Sequence, residues 1–240
     1  SSLLLHDISD PLAPASYAYA ALPASAIRIA VDWPHAYITM TEGVDWSMAT
    51  YDIRSGGAPV FESMIMLPFE PAGIAVDNGV AVIGSRAGLE IAVLDVSNPA
   101  VPRLAELVDI GGPGLDVEIA AGKAFVVGSG VTVLDVRSPD LPRFVSRLDT
   151  LGPATSADLS DTMLYVADET GLVMFDVWTF LACTPADQTS PFGQLSGQDV
   201  GAFAQSFVDQ CGHADIDGDG LFGLGDVVQF VEWFTTGCPD

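Results

Sequence analysis

The residue types best suited to chemistry lie close together near the C-terminal end, in Asp215-Ile216-Asp217-Gly218-Asp219-Gly220-Leu221-Phe222-Gly223-Leu224-Gly225-Asp226. Counted from Asp215, carboxylates stand at the first, third, fifth and twelfth positions and a glycine at the sixth. That spacing suits a seven-coordinate oxygen cage around Ca²⁺, with the glycine making the sharp turn. Asp215, Asp217, Asp219 and Asp226 would give side-chain oxygens, and Leu221 its backbone carbonyl. Gly223, at the ninth position, has no side chain, so a water is expected to complete the shell. A metal-free Asp/Gly turn is the poorer reading, because carboxylates this close repel strongly without a cation.

The elements that position such a loop follow from periodicity. A tetrad recurs as Leu5-His6-Asp7-Ile8, Thr50-Tyr51-Asp52-Ile53, Val93-Leu94-Asp95-Val96, Val133-Leu134-Asp135-Val136 and Met174-Phe175-Asp176-Val177. Its aspartates are 45, 43, 40 and 41 residues apart, and the first four are followed by proline-bearing turns such as Ser97-Asn98-Pro99 and Arg137-Ser138-Pro139. A period of about 42 residues with a fixed turn marks a propeller or solenoid. Within one period, Gly73–Val76 and Val80–Ile83 flank Asp77-Asn78-Gly79, a hairpin signal; Glu90–Val96 and Arg103–Ile110 read as a third and a fourth strand. Strands apolar on both faces fit a sheet buried between two neighbours.

Residues 86–102, Arg-Ala-Gly-Leu-Glu-Ile-Ala-Val-Leu-Asp-Val-Ser-Asn-Pro-Ala-Val-Pro, and residues 130–142 resemble the LVIVD-repeat β-propellers, and the likeness extends over about residues 1–178. The resemblance implies a mainly β fold: a small propeller of about four blades of four strands over residues 1–180, followed by a small α-helical calcium-loop module over 181–240. Three periods are complete, near 26–70, 71–113 and 114–153. Thr155–Val177 and Leu3–Ala20 are expected to join as the fourth blade and close the ring, which removes exposed edges. The chain starts in mid-repeat, so a longer native N-terminus, or pairing of open edges with another copy, is expected. The five repeated aspartates read as turn formers that accept backbone N–H groups, not as one active site.

After Phe180 the grammar turns helical. Val200, Phe203, Ala204, Phe207 and Val208, then Val227, Phe230, Val231 and Phe234, follow the spacing of amphipathic helices. Ala186-Asp187 aligns with Ala214-Asp215 and Asp199 with Asp226, so residues 181–240 are a duplicated loop–helix unit. With Asp at the twelfth position and a helix directly after, the unit resembles a dockerin-type calcium module more than an EF-hand ending in Glu. The first copy, Asp187 to Asp199, is one residue longer and lacks the middle carboxylates; Asp187 and Asp199 are its obvious acids, and whether it binds calcium stays open. The dockerin likeness implies docking to a protein partner, which the degenerate first copy puts in question. Cys183, Cys211 and Cys238 all fall in this module. A Cys183–Cys238 clasp joining its ends is the favoured pairing and Cys211–Cys238 the alternative. A zinc site is disfavoured, since no C-x-x-C pair occurs and His213 is the one nearby imidazole.

Other constellations are thin. His6, His35 and His213 lie in separate regions, and Gly111-Gly112-Pro113-Gly114 lacks the lysine and helix of a phosphate loop. The acid pairs Asp158/Asp161 and Asp116/Glu118 have the types needed for acid–base work on a sugar, but read as solvated turn and strand residues. Trp33, Trp46, Tyr17 and Tyr19 offer an aromatic platform for carbohydrate; packing between blades is the expected use. With 32 acidic against 8 basic residues, the net charge is −24. That excludes nucleic acid, which demands a basic patch, and disfavours an anionic membrane surface. Apolar runs are broken well short of the roughly 18 residues a spanning helix needs. Residues 181–240 hold nine of the acids and no Lys or Arg.

Together these features indicate a secreted or cell-surface, non-enzymatic protein. Its propeller is expected to bind or assemble with a protein or cell-surface polysaccharide, or with itself, and its tail to attach it with the help of Ca²⁺. Disulfides and calcium loops both suit an extracellular setting. No N-terminal signal segment is visible, as in a mature or trimmed chain. Two alternatives stand beside this reading: a structural subunit of an extracellular filament or sheath, and an extracellular enzyme with its site at the propeller mouth.

Overall fold

Each complete period folds as an antiparallel meander. In the computed structural model, which describes all residues except 55–56, 183, 190–191, 193, 211–213, 217–220 and 239–240, the elements follow the repeat. A first hairpin pairs β1 (Ser2–Asp7) with β2 (Ala15–Ala21). The first full period gives β3 (Ser25–Asp32), β4 (His35–Glu42), β5 (Asp45–Asp52) and β6 (Val60–Leu67). The second gives β7 (Pro71–Asp77), β8 (Val80–Ser85), β9 (Glu90–Asp95) and β10 (Arg103–Asp109), and the third β11 (Asp116–Ala120), β12 (Lys123–Gly128), β13 (Gly130–Asp135) and β14 (Arg143–Leu148). A last sheet has the order β15 (Ala154–Ser160), β16 (Met163–Asp168), β17 (Gly171–Asp176). The β7–β8 hairpin turns on Asn78 (φ 49°) and Gly79 (φ 78°), both in the left-handed region that a tight two-residue turn needs.

The chain divides into two compact units, Ser1–Asp158 with Val166–Val173, and Leu159–Tyr165 with Met174–Asp240. In the first unit the core lies between consecutive sheets. Val82, Ile91 and Val93 pack against Val117, Ala124, Val126 and Leu134 of the following sheet. From the opposite face of the same sheet, Ala81, Ile83, Ala92 and Leu94 pack against Tyr37, Met48 and Leu67 of the preceding one. Strands covered on both faces lose the polar–apolar alternation, which is why they read as continuous apolar runs. Backbones approach closely where the sheets meet: a Cβ on Gly84 would lie 2.0 Å from the carbonyl oxygen of Gly114.

The expected fourth blade does not form from the two ends of the repeat region. β1 and β2 make a two-stranded sheet, and β15–β17 a separate three-stranded one. The reason is visible in the repeat itself. The tetrad aspartate ends the third strand of each meander, and both β1 (Asp7) and β17 (Asp176) carry it. The hairpin therefore supplies third and fourth strands and the last sheet first to third, which do not sum to one four-stranded blade. Leu3, with Leu5 and Ala20, packs instead against Ala36, Ile38, Ala49 and Tyr51 of the β3–β6 sheet.

The second unit carries α1 (Trp178–Leu181), α2 (Gly197–Val208) and α3 (Leu224–Thr236). Phe203 of α2 stacks on Phe230 of α3 with centroids 4.1 Å apart, amid Leu195, Phe207, Phe222 and Trp233. The buried stripe is narrower than its sequence pattern: Val200, Val208 and Val231 are exposed. Phe203 and Phe230 are the buried apolar residues that α2 and α3 contribute to this cluster. No helix among the described residues is long and apolar enough to cross a membrane.

Candidate functional site

The loop that begins at Asp215 leads directly into α3, and Asp226 sits in the first turn of that helix. Its carboxylate is buried and spans the loop: Oδ1 accepts the Ile216 N–H at 2.7 Å and Oδ2 the Gly223 N–H at 2.7 Å. The first of these bonds draws Asp226 to the residue next to Asp215, so the two ends of the loop meet. Asp215 and Asp226 as carboxylates, and Leu221 through its carbonyl, are hard oxygen donors of the kind Ca²⁺ takes. Asp217 and Asp219 lie outside the described residues, and among those described no three His, Cys, Asp or Glu converge on one point.

In the first copy, Ser196 caps α2 by accepting the Gln198 N–H, and Asp199 three residues on reaches back to the Ser196 N–H, a reciprocal capping box. Asp199 is fully buried. Its Oδ1 also accepts the Gln188 N–H and Thr189 N–H, both at 2.8 Å, and the Thr189 hydroxyl at 2.9 Å. Burial pushes its carboxyl up, but the bonds from Ser196 and Thr189 outweigh that and hold it below the usual range. Thr189 and Ser196 escaped the sequence reading; the Ser-x-x-Asp capping pattern was the signal that pointed to Ser196. Asp187 is fully buried as well, and its carbonyl accepts the Trp178 indole N–H at 3.2 Å. Cys238 is disulfide-bonded. Cys183 and Cys211, between which the pairing was left open, lie outside the described residues.

The repeated aspartates act as one architectural device. Each accepts the N–H two residues later: Ser9 on Asp7, Arg54 on Asp52, Ser97 on Asp95, Arg137 on Asp135 and Trp178 on Asp176, at 2.8–3.2 Å. These are Asx turns that end the third strand. Burial pushes the Asp135 carboxyl up, yet the Arg137 guanidinium and N–H bring it down to about 2. Arg103 ties one period to the next, reaching Asp95 at 2.9 Å and Asp140 at 2.7 Å.

Of the two acid pairs, Asp116/Glu118 is joined by Asp158. Asp116 on β11 accepts the Ser156 hydroxyl at 2.7 Å and the Ala157 N–H at 3.0 Å from β15. Glu118, half-buried on β11, is pushed up to about 7 by its burial and by the charges of Asp116 and Asp158. A carboxyl titrating near neutrality is able to hold or release a proton there. Asp161 sits in the β15–β16 turn with φ 55°. The aromatic residues correct the sequence reading: Trp33 and Tyr19 are each 70% exposed and Tyr17 is exposed too, while Trp46 packs against the core. Sequence gave no sign of which sheet faces a neighbour covers.

Comparison with known proteins places this architecture among the β-propellers. Residues 73–110 match the LVIVD repeat. Among solved structures, the chain is similar to a functionally unknown protein from Desulfotomaculum acetoxidans (18% identity, TM-score 0.58, 73% of this chain and 58% of that one). It is also similar to BamB from Moraxella catarrhalis (15% identity, TM-score 0.51, 68% and 50%) and to Hsv2 from Kluyveromyces lactis (15% identity, TM-score 0.53, 73% and 54%). The chain thus spans less than two thirds of the length of each, and at these identities the likeness is one of fold. No curated protein matches.

Proposed function

We propose that the chain is a secreted or cell-surface, non-enzymatic propeller protein that binds or assembles with a protein or cell-surface polysaccharide partner, and that its tail is a dockerin-like, calcium-stabilised module for attachment or assembly. The observation that carries this reading is the placement of Asp226, whose buried carboxylate is drawn onto the start of its own loop beside Asp215. Residues 181–240 contain no Lys or Arg, so no strongly basic side chain within the module is available to balance the loop acids, and a divalent cation meets that need. The Cys238 disulfide supports an oxidising, extracellular compartment. Replacing Asp217 with Ala tests the metal directly. In calcium the tail of Asp217→Ala is expected to melt several degrees below the wild type, and in chelator the two should melt together; equal melting in calcium contradicts the reading.

A second reading, a self-assembling subunit of a filament or sheath, is favoured by one set of residues. Ile29, Val31 and Trp33 on and just after β3, and Tyr17 and Tyr19 on β2, expose large apolar side chains, and β1 stands at the end of its sheet. Apolar surface beside a sheet edge is the combination that strand addition uses.

A further inference from the structure

We infer that the first loop of the tail is built to work without a metal, with hydrogen-bond donors converging on the Asp199 carboxylate in place of oxygens converging on a cation. The contrast with the second loop rests on the calcium reading above; the test below does not. Five donors meet Asp199: the Gln188 N–H, Thr189 N–H and Thr189 hydroxyl on Oδ1, and the Ser196 N–H (2.7 Å) and hydroxyl (3.0 Å) on Oδ2. A carboxylate offers about four lone-pair sites, so this one is filled. Asp226 of the second loop accepts the equivalent Ile216 and Gly223 N–H groups; on Asp199 the hydroxyls of Thr189 and Ser196 come in addition, and a cation entering here would displace them.

Both middle carboxylates of the second loop are missing from the first, and the third position shows what takes their place. Thr189 is third in the first loop, where the second loop has Asp217. A carboxylate there can only accept and needs a cation to sit near a second acid. The threonine hydroxyl donates, and so neutralises the need for the metal. Full burial of Asp199 strengthens these bonds and excludes the water that would compete for them. The consequence is an asymmetric module: the loop before α2 holds its shape at any calcium level, and calcium acts on the loop before α3 alone.

Two variants of the full chain, melted in calcium and in chelator, test this, alongside calorimetric titration of Ca²⁺ into the wild type. Thr189→Val, which removes one donor and keeps the shape, is expected to lower the melting temperature of the tail by the same few degrees in both media. Asp199→Asn, the harsher change, should disrupt the first loop equally in both. The titration is expected to show a single ion per chain, unchanged in Thr189→Val. A loss confined to calcium for Thr189→Val, or two ions per chain, overturns the inference. No bound ion together with equal losses in both media upholds the inference for the first loop and sinks the calcium reading of the second.

Discussion

Glu118 and Asp116 show how neighbouring acids on one strand acquire different properties from their surroundings. Asp116 is held by two donors from β15, whereas Glu118 is raised to about 7 by burial and by Asp116 and Asp158. The folded state therefore resists ionising Glu118. Its burial costs nothing while the carboxyl is protonated in both folded and unfolded chains, and stability falls as pH rises from about 4.5 through about 7. Glu118→Gln is expected to be neutral near pH 4 and to stabilise the first unit by about 1 kcal/mol near pH 8, allowing for solvent screening. Urea unfolding at the two pH values measures this; an equal effect at both removes the titration argument. Neither the burial and the Asp158 charge that raise Glu118 nor the Gln188 and Thr189 donors on Asp199 were legible in the sequence, because they come from distant chain, whereas the Ser196 donors, three residues from Asp199, carry a local capping pattern.

Strands and turns were far more legible than these contacts. The second period reads from its sequence almost as it folds, since Asn78-Gly79 fixes the hairpin and the Asp95 turn fixes the end of β9, both through local chemistry. Helices α2 and α3 were equally plain from their spacing. The closure of the ring was not, because a strand's place in a sheet depends on pairing with distant chain, and the count of strands on either side of the tetrad had to be compared. The exposure of Trp33, Tyr17 and Tyr19 escaped for the same reason. At this scale the stacked pair Phe203–Phe230 should dominate the second unit. Phe230→Ala is expected to cost it about 3 kcal/mol, read from the thermal transition of Trp178 and Trp233; a loss below about 1 kcal/mol would show that α2 and α3 are held by something other than this contact.

The net charge of −24 acts on the molecule as a whole. Copies repel one another, so association through the exposed apolar residues of β2 and β3 should strengthen as salt screens the charge. Sedimentation is expected to show monomers at low ionic strength and larger species in high salt if the chain assembles with itself; monomers under both conditions at high concentration would remove the filament reading. Part of that charge is concentrated in the nine acids of residues 181–240, where a bound cation is proposed to offset it. Calorimetric titration of Ca²⁺ into the chelator-treated full chain tests this most directly. Saturable binding that disappears in Asp217→Ala is the expected result, and the absence of binding, or binding that survives the substitution unchanged, would contradict a calcium-stabilised tail.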